Sequence, residues 1–305
     1  MGKTQQLIEQ LVKKYESLGE NPNTYLEGLL HAKPINYWDY IEVENLLSLQ
    51  KPRTNYQDEL VFIGYHQITE LVLKLMIHEL KQLMENEVFD EAIFTDKIHR
   101  LTRYTDMLIT SFTVMKDGMS YDDYNIFRMT LAPASGFQSA QFRFFEIYCT
   151  ELTNLINEEG KSRLPKSPKI EDYFEHIYWK DAGHNRKTGK KTLTLVEFEK
   201  KYLGDFIELS KQVKGKTINE QFLNIENPSK ALLKAMRDFD YNYNVSWPLT
   251  HLRTAQKYLN KKGENKAATG GSKWQKYLHP RHQQRMFFPS LWKDVNILEW
   301  KNENV

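Results

Sequence analysis

Apolar residues recur at intervals of three and four almost wherever this chain has a readable period, and the polar/apolar alternation of a half-buried strand is almost absent. A chain so patterned is expected to fold as packed helices. The longest stretch runs from about Asp58 to Met84, with Leu60, Ile63, Leu71, Leu75, Ile77 and Leu80 plus apolar residues on its other faces, which predicts a helix buried nearly all round. A first helix carries Leu7, Leu11, Val12, Tyr15 and Leu18, with Thr4 as its N-cap, and closes at Gly19 and Pro22. Another starts near Ile93, carries Leu101, Tyr104, Met107, Leu108 and Phe112, and stops near Gly118. Tyr121 to Leu131 reads as a shorter helix ended by Pro133, Gln138 to Leu155 as a long one ended by Gly160, and roughly Ser229 to Leu259 as another long one.

Residues 161–200 are richer in Lys, Pro and Gly, and read as a loop or small insertion with a short helix near Asp172 to Trp179. Helix returns from about Leu195. The expected architecture is therefore one all-α domain over residues 1–305, a large bundle of long antiparallel helices that can hold a cofactor between facing side chains.

Charge and cysteine usage narrow the class of function. Forty-two basic and 40 acidic side chains are interspersed and give a net charge of +2, which argues against nucleic acid as a partner. The one basic cluster, Lys187, Lys190 and Lys191, lies in a Gly-containing stretch without the aromatics of a base-stacking surface. Cys149 is the only cysteine, so an internal disulfide is excluded, and a reducing, cytoplasmic setting is expected. The start MGKTQQLIEQ lacks a hydrophobic signal region, and no apolar run approaches the ~20 residues of a membrane span, so no membrane is expected. The 17 Tyr, 16 Phe and 6 Trp would suit a pocket for a flat ligand and equally an ordinary core.

Three pairs at helical spacing could carry chemistry. Phe62 and His66 share a face in a segment too apolar to welcome an unsatisfied imidazole, so His66 is either a core histidine bonded to a neighbouring group or a pocket residue bonded to a ligand. Tyr124 and Arg128 set a phenol beside a guanidinium, which matches a carboxylate in bidentate fashion but could equally pair with Asp122 or Asp123. Trp247 and His251 form the third pair, and a neutral imidazole can be an axial ligand to heme iron. Ser135 can cap a helix and Gly136 permits a tight turn, while Thr269-Gly270-Gly271-Ser272 lets backbone approach a ligand closely. No phosphate-loop spacing occurs, and His279-Pro280-Arg281-His282 lacks a second ligand pair for zinc.

Taken in order, Tyr37-x-x-Tyr40, Phe62-x-x-x-His66-Gln67 with Glu70-Leu71 and Lys74, Phe127-Arg128, the run Pro133 to Ser139, Trp247-x-x-x-His251, Thr269-Gly270-Gly271-Ser272 and Phe288-Pro289-x-Leu291 resemble the tryptophan 2,3-dioxygenase family. That resemblance implies an all-α homotetramer with one heme b per subunit, acting on L-tryptophan and O2 to give N-formylkynurenine. It assigns His251 as the axial ligand of the heme iron, with Trp247 and Ser139 on the cofactor side. It makes His66 the catalytic, substrate-facing histidine and Arg128 the carboxylate clamp, with Thr269 at the amino-acid end. Phe62 and Tyr124 become pocket walls, and Tyr37, Tyr40 and Ile41 a segment lent by a neighbouring subunit.

The sequence departs from the family pattern at Ile41, at Val72-Leu73 in place of Trp-Phe, at Ala268 in place of Gly, and at Pro248 in place of Arg. Pro248 is expected to bend the chain just before His251. The Val72-Leu73 change predicts a less aromatic pocket and keeps two other readings open. One is a related heme oxygenase acting on a substituted tryptophan or hydroxylating tyrosine; the other is a non-catalytic heme-binding sensor.

Overall fold

The computed structural model describes residues 2–86, 88–185, 188–259, 275, 278–283 and 285–300. Among them helix dominates and no extended strand forms, only isolated bridges at Ile156–Ile177 and His184–Lys191. The chain divides into two compact units, Met1–Lys51 and Pro52–Val305.

The first unit holds α1 (Lys3–Ser17), α2 (Pro22–His31), α3 (Tyr37–Ile41) and α4 (Val43–Leu47). Gly2 occupies the N-cap of α1, two residues before the Thr4 expected from sequence, and Gly19 takes the left-handed turn (φ 74°) beyond the other end. Asn21 caps α2 by accepting from Asn23 N at 3.0 Å. The rings of Tyr15 and Tyr25 stack at 3.8 Å, yet no described residue of this unit is fully buried.

The second unit is built around α5 (Asp58–Glu85) and α6 (Glu91–Asp117), an antiparallel pair joined by a short turn. Asp90 caps α6 by accepting from Ala92 N and Ile93 N, and Gly118 ends it as expected. The buried Glu79 of α5 pairs with Lys97 of α6. Next come α7 (Tyr121–Phe127), α8 (Ala140–Cys149), α9 (Glu158–Arg163), α10 (Ile170–Glu175), α11 (Leu193–Val213) and α12 (Ile218–Leu223). The chain then runs through α13 (Lys230–Tyr241) and α14 (Trp247–Leu259).

Two expectations need correction. The helix foreseen from Gln138 to Leu155 is broken, because Thr150 adopts an extended conformation (φ −154°, ψ 163°) after Cys149 and only a short 3-10 turn follows. Helix α5 is not buried all round: Leu60, Ile68, Leu71 and Leu75 are each close to half exposed, while Val72, Leu73, Met76 and Leu80 pack inward. Helix α5 is also long and apolar enough by composition to cross a membrane, as core helices of bundles can be, and it packs on α6, α7 and α8.

The core is rich in aromatic rings, with Phe145, Trp179, Phe198, Phe206, Phe239, Tyr243 and Phe287 all inaccessible. Residues 161–200 contribute Phe174, Ile177, Tyr178 and Trp179 to it, so the short helix and turn in the middle of that segment pack into the core. Its polar centre is a buried cluster in which Tyr178 Oη donates to Glu146 at 2.6 Å, while Arg143 and Arg285 donate to that carboxylate at 3.2 and 2.8 Å. Cys149 is fully buried, and loss of hydration raises its thiol pKa well above the ordinary value, as befits a packing residue.

Candidate active site

Helix α5 sets Phe62 and His66 one turn apart, with ring centroids 4.1 Å from each other. His66 Nδ1 lies 2.7 Å from Phe62 O, and a carbonyl only accepts, so Nδ1 carries the hydrogen and the neutral ring keeps Nε2 as an acceptor. Burial pushes the His66 pKa below 6.5, opposed by the bond to Phe62 and by the Glu70 carboxylate. Gln141 of α8 donates to Glu70 O and Glu70 Oε2, at 2.7 and 3.2 Å, and holds that part of α5 in place.

Helix α7 supplies the opposite pair. Ser120 caps it by accepting from Asp123 N at 3.3 Å, and Tyr124 projects to 6.1 Å from the Phe62 ring. The guanidinium carbon of Arg128 stands 5.7 Å from the Tyr124 ring centroid, and Arg128 is only 7% exposed although charged. Phe127 is edge-on to both Phe62 and Tyr124.

The segment beyond Arg128 is tied at several points. Arg53 donates to Thr130 O at 3.1 Å, Thr194 Oγ1 donates to Pro133 O at 2.8 Å, and Ser135, expected as a cap, forms a capping box with Gln138. Ser139 caps α8 by accepting from Phe142 N at 3.3 Å.

His251 arrives from the far end of the chain on α14. Its ring lies 5.3 Å from Phe112 of α6, tilted by 29°, and it makes no hydrogen bond among the described residues. The ring is open to solvent, yet enough protein surrounds it that lost hydration pulls its pKa down to about 4, with His66 pushing the same way. Trp247, one turn earlier, is buried against Phe142 and Tyr243 at 5.3 and 5.1 Å.

The bend expected at Pro248 takes a specific form. Pro248 cannot donate to Asn244 O, and the preceding turn, Asn242–Ser246, is a π-helix in which Trp247 N reaches back to Asn242 O. Asn242 donates to Asp106 at 2.8 Å and Asn244 to Asp240 at 2.7 Å, pinning the widened turn. A separate cavity of about 140 Å³ beside it, lined in part by Asn244, Arg285, Met286 and Trp292, includes none of the rings around His66 and His251.

A sequence profile of tryptophan 2,3-dioxygenase matches residues 29–203, more than half of the chain. The chain belongs to this family. A tryptophan 2,3-dioxygenase of Bacillus thuringiensis subsp. konkukian is 26% identical over 292 residues, covering 90% of this chain and 97% of the relative. One from Bacillus anthracis is 27% identical over 295 residues with the same coverage, and one from Polaromonas naphthalenivorans is 35% identical over 116 residues, 38% of this chain and 41% of the relative.

Of the residues that the family resemblance singles out, Phe62, His66, Tyr124, Arg128 and His251 converge through their rings and charges. Tyr37, Tyr40 and Ile41 belong to the first unit, where they are 72%, 74% and 43% exposed. Thr269 and Ala268 lie outside the described residues. Val72 and Leu73 are buried in the main core, and the rings nearest the two histidines are Phe62, Tyr65 and Phe112.

Sequence reading missed Tyr65 beside His66 and took Phe112 for ordinary core. Tyr65 stands edge-on to His66 at 5.4 Å and 5.5 Å from Phe112, a relation created by the packing of α5 on α6. Only the position of Phe112 in the apolar period of α6 could have hinted at it.

Proposed function

We propose that the chain is a heme-dependent dioxygenase that adds both atoms of O2 across the indole C2–C3 bond of L-tryptophan, giving N-formylkynurenine. It works in the cytoplasm as a homotetramer with one heme b per subunit. The observation that carries this reading is geometric: Phe62, His66 and Tyr124 gather with the buried Arg128 beside Tyr124, and His251 stands against Phe112, which Tyr65 joins to His66.

The residues present fit a heme. His251, with its pKa pulled down to about 4, exposed, packed against Phe112 and without a competing hydrogen bond among the described residues, would hold the heme iron. Trp247 and Ser139 belong to the cofactor side. Bound heme supplies the oxygen-activating chemistry.

The chain's own residues hold and orient. His66 Nε2 accepts the indole N–H, its tautomer fixed by Phe62 O. Arg128 grips the substrate carboxylate in bidentate fashion, and Thr269 meets the amino-acid end. Phe62 and Tyr124 wall the indole, and Tyr37, Tyr40 and Ile41 close the pocket from a neighbouring subunit. Holding the indole in one orientation is the largest contribution expected of the protein.

The test is a set of heme spectra, ferric and ferrous, with and without L-tryptophan, followed by product mass under labelled O2. A Soret band that moves on adding tryptophan, is lost in His251→Ala, and accompanies a gain of two labelled oxygens is expected. Well-folded protein that stays colourless with ample porphyrin would end the proposal, as would a ferrous form silent towards tryptophan and air. A gain of one oxygen would move the reaction to hydroxylation.

A further inference from the structure

We infer that Tyr258 is a positioning residue that holds the Tyr124–Arg128 clamp in register with the helix carrying His251. This rests on the function proposed above. Seven residues make two helical turns, so His251 and Tyr258 lie on one side of α14, His251 against Phe112 and Tyr258 against α7.

Tyr258 touches α7, the last turn of α6 and the connection between them, while α5 holds the other side of α7. Its ring lies 4.7 Å from Tyr124 and 6.4 Å from Tyr121, nearly parallel to the latter. Its hydroxyl donates to Met115 O at 2.6 Å, with Met119 O at 3.1 Å and Lys116 O at 3.3 Å as further acceptors. Its own carbonyl receives Asn125 Nδ2 at 3.4 Å. One side chain thus joins the last turn of α6, the connection to α7, and α7 itself.

An apolar side chain would fill the same volume but could not do this. The last carbonyls of α6 lack the usual donor one turn on; the single hydrogen of the buried Tyr258 hydroxyl serves Met115 O at the shortest distance, and Lys257 Nζ serves Lys116 O. Burial raises the phenol pKa to about 12, so the donor is present at any working pH. Loosening that tie lets α7 shift and carries Arg128 off the carboxylate, where bidentate geometry is exacting, while the broad ring face of Tyr124 still covers the indole and His251 stays against Phe112.

The test uses heme-loaded full-length protein carrying Tyr258→Phe, which keeps the ring and loses the hydroxyl, and Tyr258→Leu, which loses both. Soret titrations give the dissociation constants of L-tryptophan and of tryptamine, which lacks the carboxylate. Tyr258→Phe is expected to weaken L-tryptophan about three- to tenfold, the worth of a hydrogen bond, and Tyr258→Leu more, with tryptamine and the ligand-free spectrum unchanged. In an Arg128→Ala background Tyr258→Phe should add nothing, since residues acting through one contact are not additive.

Equal weakening of both ligands, a loss that persists without Arg128, or no change at all overturns the inference, and Tyr258→Phe decides if Tyr258→Leu fails to fold. The controls separate the two levels. If Arg128→Ala itself leaves L-tryptophan binding intact, the clamp reading falls and this inference with it; if Arg128→Ala weakens binding and Tyr258→Phe does not, only this inference falls.

Discussion

At the scale of single residues, His66 shows how a backbone contact decides side-chain chemistry. Its Nδ1–H is spent on Phe62 O, so Nε2 can accept only while the ring is neutral. Because burial places its folded-state pKa below 6.5, the unfolded chain binds more protons between that lowered value and 6.5. Stability and the acceptor form are therefore both intact above about pH 6.5, and both decline as pH falls through the lowered pKa. Tryptophan affinity, followed by Soret titration, should be flat from about pH 7 upward and show an acid limb that His66→Gln abolishes. A limb that survives in His66→Gln belongs to another group. The pairs Phe62–His66, Tyr124–Arg128 and Trp247–His251 were legible in the sequence because spacing of four is local geometry. Tyr65, Phe112 and Tyr258 were not, because their neighbours come from other helices.

At the scale of elements, the π-turn between α13 and α14 links a sequence oddity to the placement of His251. Pro248 announced a distortion, but the form it takes depends on tertiary contacts. Asp240, one turn before Asn244, accepts from Asn244 Nδ2, Phe287 N, Phe288 N and Trp292 Nε1. Burial raises its carboxyl pKa against the pull of these four donors. It thereby joins the widened turn to residues 287–292. Asp240→Asn preserves volume but turns an amide N–H2 towards groups that can only donate, at a cost of about 1–3 kcal/mol for each donor left unmet. Thermal unfolding should show the melting temperature lowered by roughly 5–10 °C, with loss of heme at moderate temperature. An unchanged melting temperature would mean that the C-terminal segment does not hold the turn. Helix ends marked by Gly118 and Ser229 were readable beforehand. The break at Thr150 carried no glycine or proline to announce it, and the half-exposed side of α5 looked like core because composition does not say what covers a face.

At the scale of the molecule, what stands out is apolar surface left uncovered within one chain. In the first unit Leu29, Leu30, Ile35, Tyr37, Tyr40 and Leu47 are each more than 60% exposed, and no described residue of that unit is buried. On α5, Leu60, Ile68, Leu71 and Leu75 form a second uncovered stripe. Apolar side chains uncovered in such number suit an association site, and the proposed homotetramer supplies a matching occupant in further copies of the same chain. Charges introduced at Tyr40 and Ile41 should then leave each chain folded, because both side chains are exposed within it, while breaking assembly. Tyr40→Asp combined with Ile41→Asp is expected to lower the sedimentation coefficient towards that of smaller species. L-tryptophan should bind more weakly, since the segment would close the pocket of a neighbour, and the Soret band of the ligand-free protein should stay, since His251 and Phe112 belong to one chain. Sedimentation identical to the unsubstituted protein would take the segment out of the interface. Dissociation with full tryptophan affinity would leave it an assembly contact with no share in the pocket.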